Sequence, residues 1–221
     1  IKSIASKKGF QVDFHDSNSD ILNITASDIS STVEVAQDYD YVFVVVGDNS
    51  LRHLKKKKTA GENMARANIN LAGNQLNLVK SLNKLNNELI VIYVNGKPIA
   101  EPWIAENVNS IIEAWEPGSL GGQAVGEIVF GDVNPSGKLP LTFPRSVGQL
   151  QMIYNHKPSQ YFHDYAEEKI TPLYPFGHGL SYSDFNYSEL DVKMSKSEKS
   201  LIKVSFLLTN NSEFYGEEIV Q

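Results

Sequence analysis

Two short runs of residues are apolar on both faces of an extended chain, and they restrict the possible folds more than any other feature. The first run is Tyr41–Val46 and the second is Glu88–Val94. Strands that are buried on both faces are typical of parallel sheets covered by helices. Between the runs, the segment Asn70–Leu85 repeats leucine at helical spacing. This pattern predicts the crossover helix that two parallel strands require.

The flanking sequence continues this alternation of strands and helices. A third strand is predicted at Asn109–Trp115 and a helix at Gly122–Phe130. Upstream, a helix with the capping candidate Ser27 is predicted at Ala26–Gln37, and the alternating polarity of Phe10–Phe14 is typical of a strand. The pattern indicates an α/β fold with a mostly parallel sheet sandwiched between helices.

After Phe185 the sequence changes to strands in which polar and apolar residues alternate. Two such strands are predicted at Leu190–Met194 and Leu201–Thr209, and another begins at Glu217–Gln221. Three strands cannot close a sandwich of two sheets. We therefore expect the first strands of an incomplete β-sandwich, in a chain that is incomplete at both ends.

Charge and composition exclude several classes of function. The formal net charge of −6 argues against nucleic acid as the main partner, because phosphate binding needs a basic surface. No apolar run approaches the roughly 20 residues needed to cross a bilayer. The chain has no cysteine, which excludes disulfides, zinc–thiolate sites and thiol nucleophiles. No spacing of His, Asp and Glu indicates a metal site, and no cofactor is expected.

Three long segments carry the most specific pattern in the sequence. They are AWEPGSLGGQAV at 114–125, FGDVNPSGKLP at 130–140 followed by TFPRS at 142–146, and YPFGHGLSY at 174–182. In this order they resemble recurrent segments of glycoside hydrolase family 3. In that family a (β/α)₈ barrel comes first, an α/β sandwich follows, and a fibronectin type III-like domain often comes last. The resemblance implies that residues 1–183 are the sandwich, that residues 184–221 open the fibronectin-like domain, and that the barrel is missing.

The same resemblance implies where the catalytic groups lie. In the family the barrel supplies an Asp nucleophile, and in many members the sandwich supplies a Glu acid/base on a loop over the active site. Here that loop follows Val46, at the carboxyl edge where α/β sheets bind ligands, and its candidate acid/base is Glu62. Arg66 is a candidate for contacting a sugar hydroxyl, or for tying the loop down through the side chain of Asn68 or nearby backbone carbonyls. Asp48, where relatives often have Glu, is a further candidate for contacting the substrate.

Two positions of this loop depart from the family pattern. Many relatives have Asp or Ser directly before the arginine, where this chain has Ala65, and many have Pro at the position of Ala72. Neither change removes a chemical group that proton transfer needs, but both bear on the shape of the loop.

The basic run Lys55–Lys58 lies a few residues before Glu62. A general acid must keep its proton near neutral pH, and nearby positive charge opposes this. We therefore expect these lysines to point into solvent. The carboxylate of the barrel and the loss of water when the domains dock are expected to favour the protonated form of the acid. In this chain alone, Glu62 is expected to behave as an ordinary exposed carboxylate.

The aromatic residues are expected to pack the domain rather than to bind sugar. Trp103 and Trp115 are large enough to stack on a sugar ring, but Trp115 ends a predicted buried strand and is expected to lie in the core. A further group is expected to pack the long segment before residue 180 onto the sandwich: Tyr161, Phe162, Tyr165, Tyr174 and Phe176.

The resemblance implies a parent enzyme that hydrolyses terminal β-linked sugars by a two-step retaining mechanism. A β-glucosidase acting on β-linked oligosaccharides or glycosides is expected, while β-xylosidase and N-acetylglucosaminidase activities stay open. The chain alone is expected to be inactive, and the parent to be periplasmic or extracellular. Nothing in the sequence predicts an oligomeric state.

Two other functions compete with this one. Gly118, Gly121, Gly122 and Gly126 follow a strand and open a helix, but neither G-x-G-x-x-G nor G-x-x-x-x-G-K-[ST] is present, so a nucleotide site is not indicated. A non-catalytic carbohydrate-binding or scaffolding domain derived from such an enzyme stays open as the alternative.

Overall fold

The structure is a computed structural model that describes residues 1–18, 20–50, 57–85, 87–155, 165–194 and 201–221. Tyr161 and Phe162, two of the aromatics expected to pack the long segment, lie outside these residues. No helix in the described ranges has the length and apolar character needed to cross a membrane. The elements of these ranges are α1 (Lys2–Lys7), α2 (Ala26–Ala36), β1 (Tyr41–Gly47), α3 (Gln75–Leu82), β2 (Glu88–Val94), α4 (Pro102–Asn107), β3 (Ser110–Glu113), α5 (Gly121–Val129), a 3₁₀ helix (Val147–Gln149), β4 (Phe185–Met194) and β5 (Ile202–Asn210).

The strands β1, β2 and β3 form a parallel sheet in that order. Tyr41 pairs with Glu88 and Gly47 with Val94, so β1 and β2 run side by side over their full length. β3 is shorter and pairs with the residues of β2 from Ile90 onwards. Helices flank this sheet, which confirms the predicted α/β fold. The observed range of β2, Glu88–Val94, is the range predicted from the sequence.

β2 buries side chains on both faces, as predicted, but β1 buries mainly one face. Val44 and Val46 are buried, whereas Tyr41 and Val45 are more than half exposed, so the prediction was wrong for β1.

Val44, Val46 and Val91 belong to one hydrophobic cluster with Leu78 and Leu82 of the crossover helix α3. Full burial of one such aliphatic side chain contributes roughly 1.5–3 kcal/mol to folding. The core therefore forms where the leucines of α3 pack against the apolar residues of β1 and β2.

The helix α2 confirms the predicted segment but begins at a different cap. Thr25, rather than the predicted Ser27, is the N-cap residue. The Asp28 N–H donates to the Thr25 hydroxyl at 3.2 Å, and the Asp28 carboxylate accepts from the Thr25 N–H at 2.8 Å. This reciprocal capping box satisfies two backbone donors that a helix otherwise leaves open.

The segment Phe10–Phe14 forms no strand, so that prediction was wrong. The Phe10 N–H donates to the carbonyl of Ala5 at 3.0 Å, and the Phe10 ring lies 5.7 Å from the ring of Phe130. Phe14 is 87% exposed. The segment is held by one aromatic contact and by the end of α1 rather than by a partner strand.

The helix predicted at 70–85 is shorter in the structure, where α3 begins at Gln75. Gly73 has φ +62°, and a Cβ atom there would collide with the carbonyl oxygen of Ile21. A helix cannot continue through this left-handed position. The residues before it instead run beside the chain that follows β2, since the Ala100 N–H donates to the Ile69 carbonyl at 2.9 Å.

The strands β4 and β5 form a two-stranded antiparallel ribbon. β4 starts at Phe185, earlier than predicted, and an irregularity in the pairing follows Ser188, where Glu189 has φ +54°. Apolar residues of the ribbon are exposed, among them Val192 and Val204.

The segment Glu217–Gln221, which was predicted to begin another strand, forms none. Glu218 lies 3.6 Å from the Lys138 ammonium and accepts a hydrogen bond from the Tyr187 hydroxyl at 3.3 Å. These contacts turn the end of the chain back across the start of β4 and towards the residues after α5, instead of along the edge of β5.

A polar joint centred on Asn134 connects the residues after α5 with those around the ribbon. The Asn134 amide donates to the Ser183 hydroxyl at 2.8 Å and to the Tyr215 carbonyl at 2.9 Å. Its carbonyl accepts from the Ser181 hydroxyl at 3.0 Å and from the Tyr182 N–H at 2.8 Å. All four hydrogen-bonding positions of this amide are therefore used.

Candidate functional site

The carboxyl ends of β1 and β2 meet at one edge of the sheet, where Gly47 packs directly against Val94. A Cβ atom at Gly47 would collide with the Val94 carbonyl oxygen. On its other side, Gly47 is closed by Gln75 of α3, whose amide accepts from the Gly47 N–H at 2.8 Å and donates to its carbonyl at 2.9 Å. This edge is therefore tightly packed before the chain leaves it for the long loop.

Asp48 is the first residue beyond β1, and its carboxylate is buried under the loop. The Asp48 N–H donates to the Val94 carbonyl at 3.0 Å, and the side chain is 1% exposed. Its Oδ1 accepts from the Thr59 hydroxyl at 3.0 Å and from Arg66 Nη1 at 3.1 Å. Its Oδ2 lies 2.6 Å from the Lys97 ammonium. Two cations and a hydroxyl thus surround one buried anion.

The contact between Asp48 and Lys97 is an ion pair without hydrogen-bond geometry. Within the described residues, Asp48 Oδ2 and Lys97 Nζ are both buried and have no hydrogen-bond partner. Taking two charges out of water is costly, and their attraction offsets this only when the charges lie close together. The 2.6 Å separation meets that condition.

Arg66 ties the loop to itself and to the sheet edge. Besides Asp48, its guanidinium donates to the Thr59 carbonyl at 3.3 Å, to the Asn68 side-chain carbonyl at 3.2 Å and to the Asn70 carbonyl at 3.0 Å. The bonds to Asn68 and to backbone carbonyls are the loop-tying contacts expected from the sequence. Contact between Arg66 and a sugar hydroxyl stays a proposal.

Glu62 lies on a tight turn that projects from this anchored base. The Met64 N–H donates to the Gly61 carbonyl at 3.1 Å, and Asn63 has φ +57°. A positive φ at the second central residue is typical of a type II turn, in which Glu62 takes the first central position. The Glu62 side chain is exposed.

The loop that carries this turn closes on itself before it reaches Glu62. The Thr59 N–H donates to the Asn49 carbonyl at 2.7 Å, and the Asn49 N–H donates to the Thr59 hydroxyl at 2.8 Å. The chain therefore returns to the sheet edge at Thr59, three residues before Glu62.

The prediction that the basic run points into solvent is wrong for Lys58. Its ammonium group donates to the Glu62 backbone carbonyl at 2.5 Å, and its side chain is half-buried. Lys57 is exposed, as expected, while Lys55 and Lys56 lie outside the described residues. The ammonium of Lys58 thus supports the backbone of the turn.

Comparison with known proteins identifies the chain. Residues 2–182 match the model of the glycosyl hydrolase family 3 C-terminal domain. The chain belongs to this family. It is 37% identical over 207 residues to a β-xylosidase of Formosa agariphila, covering 91% of this chain and 28% of that protein. It is 34% identical over 204 residues to a periplasmic β-glucosidase of Salmonella typhimurium, covering 87% of this chain and 26% of that protein.

Solved structures of this family have the same fold. A β-glucosidase of Erythrobacter marinus matches 97% of this chain and 31% of its own with a TM-score of 0.83 and 32% identity. A β-glucosidase of Listeria innocua in complex with isofagomine matches 89% of this chain and 28% of its own with a TM-score of 0.73 and 27% identity. The family 3 domain described here therefore spans under a third of the length of these relatives.

The family 3 domain also carries two buried carboxyls at this edge that the sequence did not reveal as site candidates. Burial raises the pKa of Glu113 to about 7, although hydrogen bonds from the Trp115 N–H and from Asn95, and the charge of Lys97, act to lower it. Burial also raises the pKa of Glu101, which accepts from the Leu71 N–H at 2.8 Å. Both groups brace the backbone under the edge.

Lys97 and Thr59 were likewise missed as parts of this site. A positional signal for Lys97 existed, since Asn95, Gly96 and Lys97 directly follow β2 and must reach the same edge as the loop after β1. No comparable signal in the sequence marks Thr59, because its position depends on where the long loop returns to the sheet edge.

The tryptophans of the family 3 domain contact protein groups. Trp115 packs edge-on against Phe143 with ring centroids 5.7 Å apart, and it has φ +52°. It is partly buried and lies beyond the end of β3, outside the hydrophobic cluster of the sheet, so the expected core position was wrong, although the ring does pack against protein. The Lys80 ammonium lies 5.2 Å from the ring centroid of Trp103, a cation–π contact. In the described ranges no three His, Asp or Glu side chains are arranged to hold a metal ion.

Proposed function

We propose that this chain is the acid/base-carrying part of a retaining β-glycosidase, with Glu62 as the proton donor. The nucleophilic Asp lies on a (β/α)₈ barrel elsewhere in the full-length protein. In this proposal residues 1–183 form the α/β sandwich, residues 184–221 open a fibronectin type III-like domain, and no cofactor takes part. The observation that carries the proposal is an exposed carboxylate on a turn whose base is anchored at the carboxyl edge of the sheet.

The chemistry explains why the exposure of Glu62 is appropriate. A retaining glycosidase places two carboxyl groups about 5–5.5 Å apart, on opposite sides of the bond that breaks. The Asp attacks the anomeric carbon while Glu62 gives its proton to the leaving oxygen, and a glycosyl–enzyme ester forms. Glu62, now ionised, then takes a proton from the water that hydrolyses the ester. A general acid that acts in a cleft shared with another domain must face outward from the domain that carries it.

The relatives support a β-linked glycoside as the substrate. They are named as β-glucosidases and β-xylosidases, and we propose β-glucosidase as the activity of the full-length protein. The Salmonella typhimurium relative is named as periplasmic, which supports a periplasmic or extracellular location. Arg66 can present its guanidinium edge to a sugar hydroxyl only where its protein contacts leave N–H groups available.

The test is Glu62→Gln in the full-length protein, assayed with aryl β-glucosides of different leaving groups. Loss of a general acid costs about 10²–10⁴-fold in rate when the leaving group needs a proton. We expect a loss of that size in kcat/KM for phenyl β-glucoside and a loss below ~10-fold for 2,4-dinitrophenyl β-glucoside. Added azide should raise kcat for the variant, because it attacks the glycosyl–enzyme without help from a base.

The matched control is Glu88→Gln. Glu88 is also exposed but begins β2, at the opposite edge of the sheet. This variant should keep the wild-type kcat/KM for both substrates. A Glu62→Gln variant with wild-type activity on phenyl β-glucoside would remove the acid role and favour the non-catalytic alternative.

A further inference from the structure

Asp48 connects both ends of the Glu62 turn to the sheet. Thr59 stands three residues before Glu62 and Arg66 four residues after it, and both donate to the same oxygen of Asp48, at 3.0 and 3.1 Å. The Asp48 backbone is itself bonded to the end of β2. One buried carboxylate is thus the shared anchor of the two segments that support the proposed acid.

The other oxygen of Asp48 faces Lys97, which comes from the segment after β2. The anchor therefore joins three parts of the chain: the exit of β1, the loop with Glu62 and the exit of β2. The Asp48 carboxylate is 1% exposed and is enclosed by Thr59, Arg66 and Lys97. This burial places Asp48 beneath the loop, not at a surface that meets a sugar.

We propose that Asp48 is a positioning residue for Glu62, in place of the substrate contact expected from the sequence; this rests on the proposed acid/base function of Glu62. Asp48 holds Thr59 and Arg66 at a fixed separation, and this fixes the height and direction of the turn between them. A displacement of about 1 Å at a catalytic group can cost ~10²-fold in rate. Loss of the Asp48 charge also leaves two cations beside each other without their shared anion.

The test compares Asp48→Asn with Glu62→Gln in the full-length protein, using the same series of aryl β-glucosides. Asn keeps the size and one acceptor of Asp but removes the charge. We expect kcat/KM for phenyl β-glucoside to fall by ~10–100-fold and that for 2,4-dinitrophenyl β-glucoside by less than ~3-fold. Asp48→Glu, which restores the carboxylate, should recover part of the loss on the poor leaving group.

A double variant tests whether Asp48 acts through Glu62. If it does, Asp48→Asn in the Glu62→Gln background should lower kcat/KM for phenyl β-glucoside by less than ~2-fold, because the effects of coupled residues are not additive. Glu218→Gln is the matched control, since Glu218 is a mostly buried carboxylate paired with Lys138. It should show no dependence on the leaving group.

Each other outcome contradicts the proposal in a distinct way. Equal losses on all leaving groups together with a lower Tm would assign Asp48 to the fold alone. A raised KM for every substrate with unchanged kcat would assign it to substrate binding. If Glu62→Gln shows the leaving-group dependence and Asp48→Asn does not, only the positioning role falls. If Glu62→Gln shows none, the proposed function and this inference fall together.

A second variant covers the case in which Asp48→Asn does not fold. Thr59→Val removes one of the two donors to Asp48 Oδ1 without creating an unpaired charge, at a position that is buried. We expect a smaller selective loss of ~3–10-fold on phenyl β-glucoside. A folded Thr59→Val variant with wild-type rates on both substrates would overturn the proposal.

Discussion

The carboxyl edge of the sheet and the Asn134 joint are both networks of partly or fully buried polar groups, but they are built differently. The edge buries titratable groups: Asp48 with two cations, and Glu113, whose pKa burial raises to about 7. The centre of the joint is a neutral amide bonded to hydroxyls and backbone groups. A satisfied neutral network stabilises a fold at every pH, whereas buried charges stabilise it little and fix geometry instead. We therefore expect the joint to contribute to stability at every pH and the contribution of the edge to depend on pH.

The largest effect on stability is expected at the joint, from Asn134→Ala. The substitution removes the part-buried hydrogen bonds to the Ser181 and Ser183 hydroxyls, each of which contributes about 0.5–1.5 kcal/mol, whereas the bonds to Tyr182 and Tyr215 are exposed and contribute little. We expect the free energy of unfolding of this domain to fall by about 1–3 kcal/mol, equally at pH 5 and pH 8. Urea unfolding followed by tryptophan fluorescence measures it.

Asn107→Ala is the control for this change. Asn107 is exposed and donates only within its own helix, to the Trp103 carbonyl at 2.8 Å. Its loss should change the free energy of unfolding by less than ~0.5 kcal/mol. A strong pH dependence of the Asn134→Ala effect would break the contrast between the two regions.

At the edge, the effect of Glu113→Gln should depend on pH. The folded pKa of Glu113 is raised from 4.5 to about 7, so between these values the folded state holds a proton that the unfolded state has lost. The wild-type contribution of this group to stability is therefore full below pH 4.5 and is lost as the pH rises through 7. Relative to the wild type, the glutamine variant should gain about 1–2 kcal/mol in going from pH 5 to pH 8.

Only the difference between variant and wild type isolates Glu113. Burial, and then the charge of Lys138, lower the pKa of His178, which gives a contribution of the opposite sign that is lost on acidification. Glu116→Gln, at an exposed position three residues away, serves as the control and should show no such gain. A Glu113→Gln variant that parallels the wild type from pH 5 to pH 8 would contradict the expected role of burial.

The smallest effect is expected from Lys58→Met. The substitution removes one hydrogen bond to the Glu62 carbonyl but leaves the Asp48 anchor intact. Stability should change by less than ~0.5 kcal/mol, and kcat/KM for phenyl β-glucoside should fall by less than ~5-fold. Lys57→Met, at the exposed neighbour, should have no effect. If kcat/KM fell as much as it does in Asp48→Asn, Lys58 rather than Asp48 would be the main support of the turn.

The sequence predicted the elements whose residues repeat a period and missed those that depend on distant contacts. The apolar runs of β1 and β2, with the helical spacing of the leucines of α3 between them, identify the parallel sheet, although β1 buries mainly one of its faces. The alternating polarity of Phe10–Phe14 predicted a strand that does not form, because a strand also needs a neighbouring strand to pair with. The position of Glu62 on the long loop after β1 followed from the order of elements and from the family resemblance. The Asp48 anchor did not, because it joins residues up to 49 positions apart.

The closure at Asn49 and Thr59 has a consequence for how a domain of this kind diversifies. The chain departs from the sheet and comes back at adjoining residues, so a longer or shorter segment between them need not displace the backbone of the Glu62 turn. Under the proposed function, evolution can therefore change the length of this segment in related domains while the proton donor keeps its place.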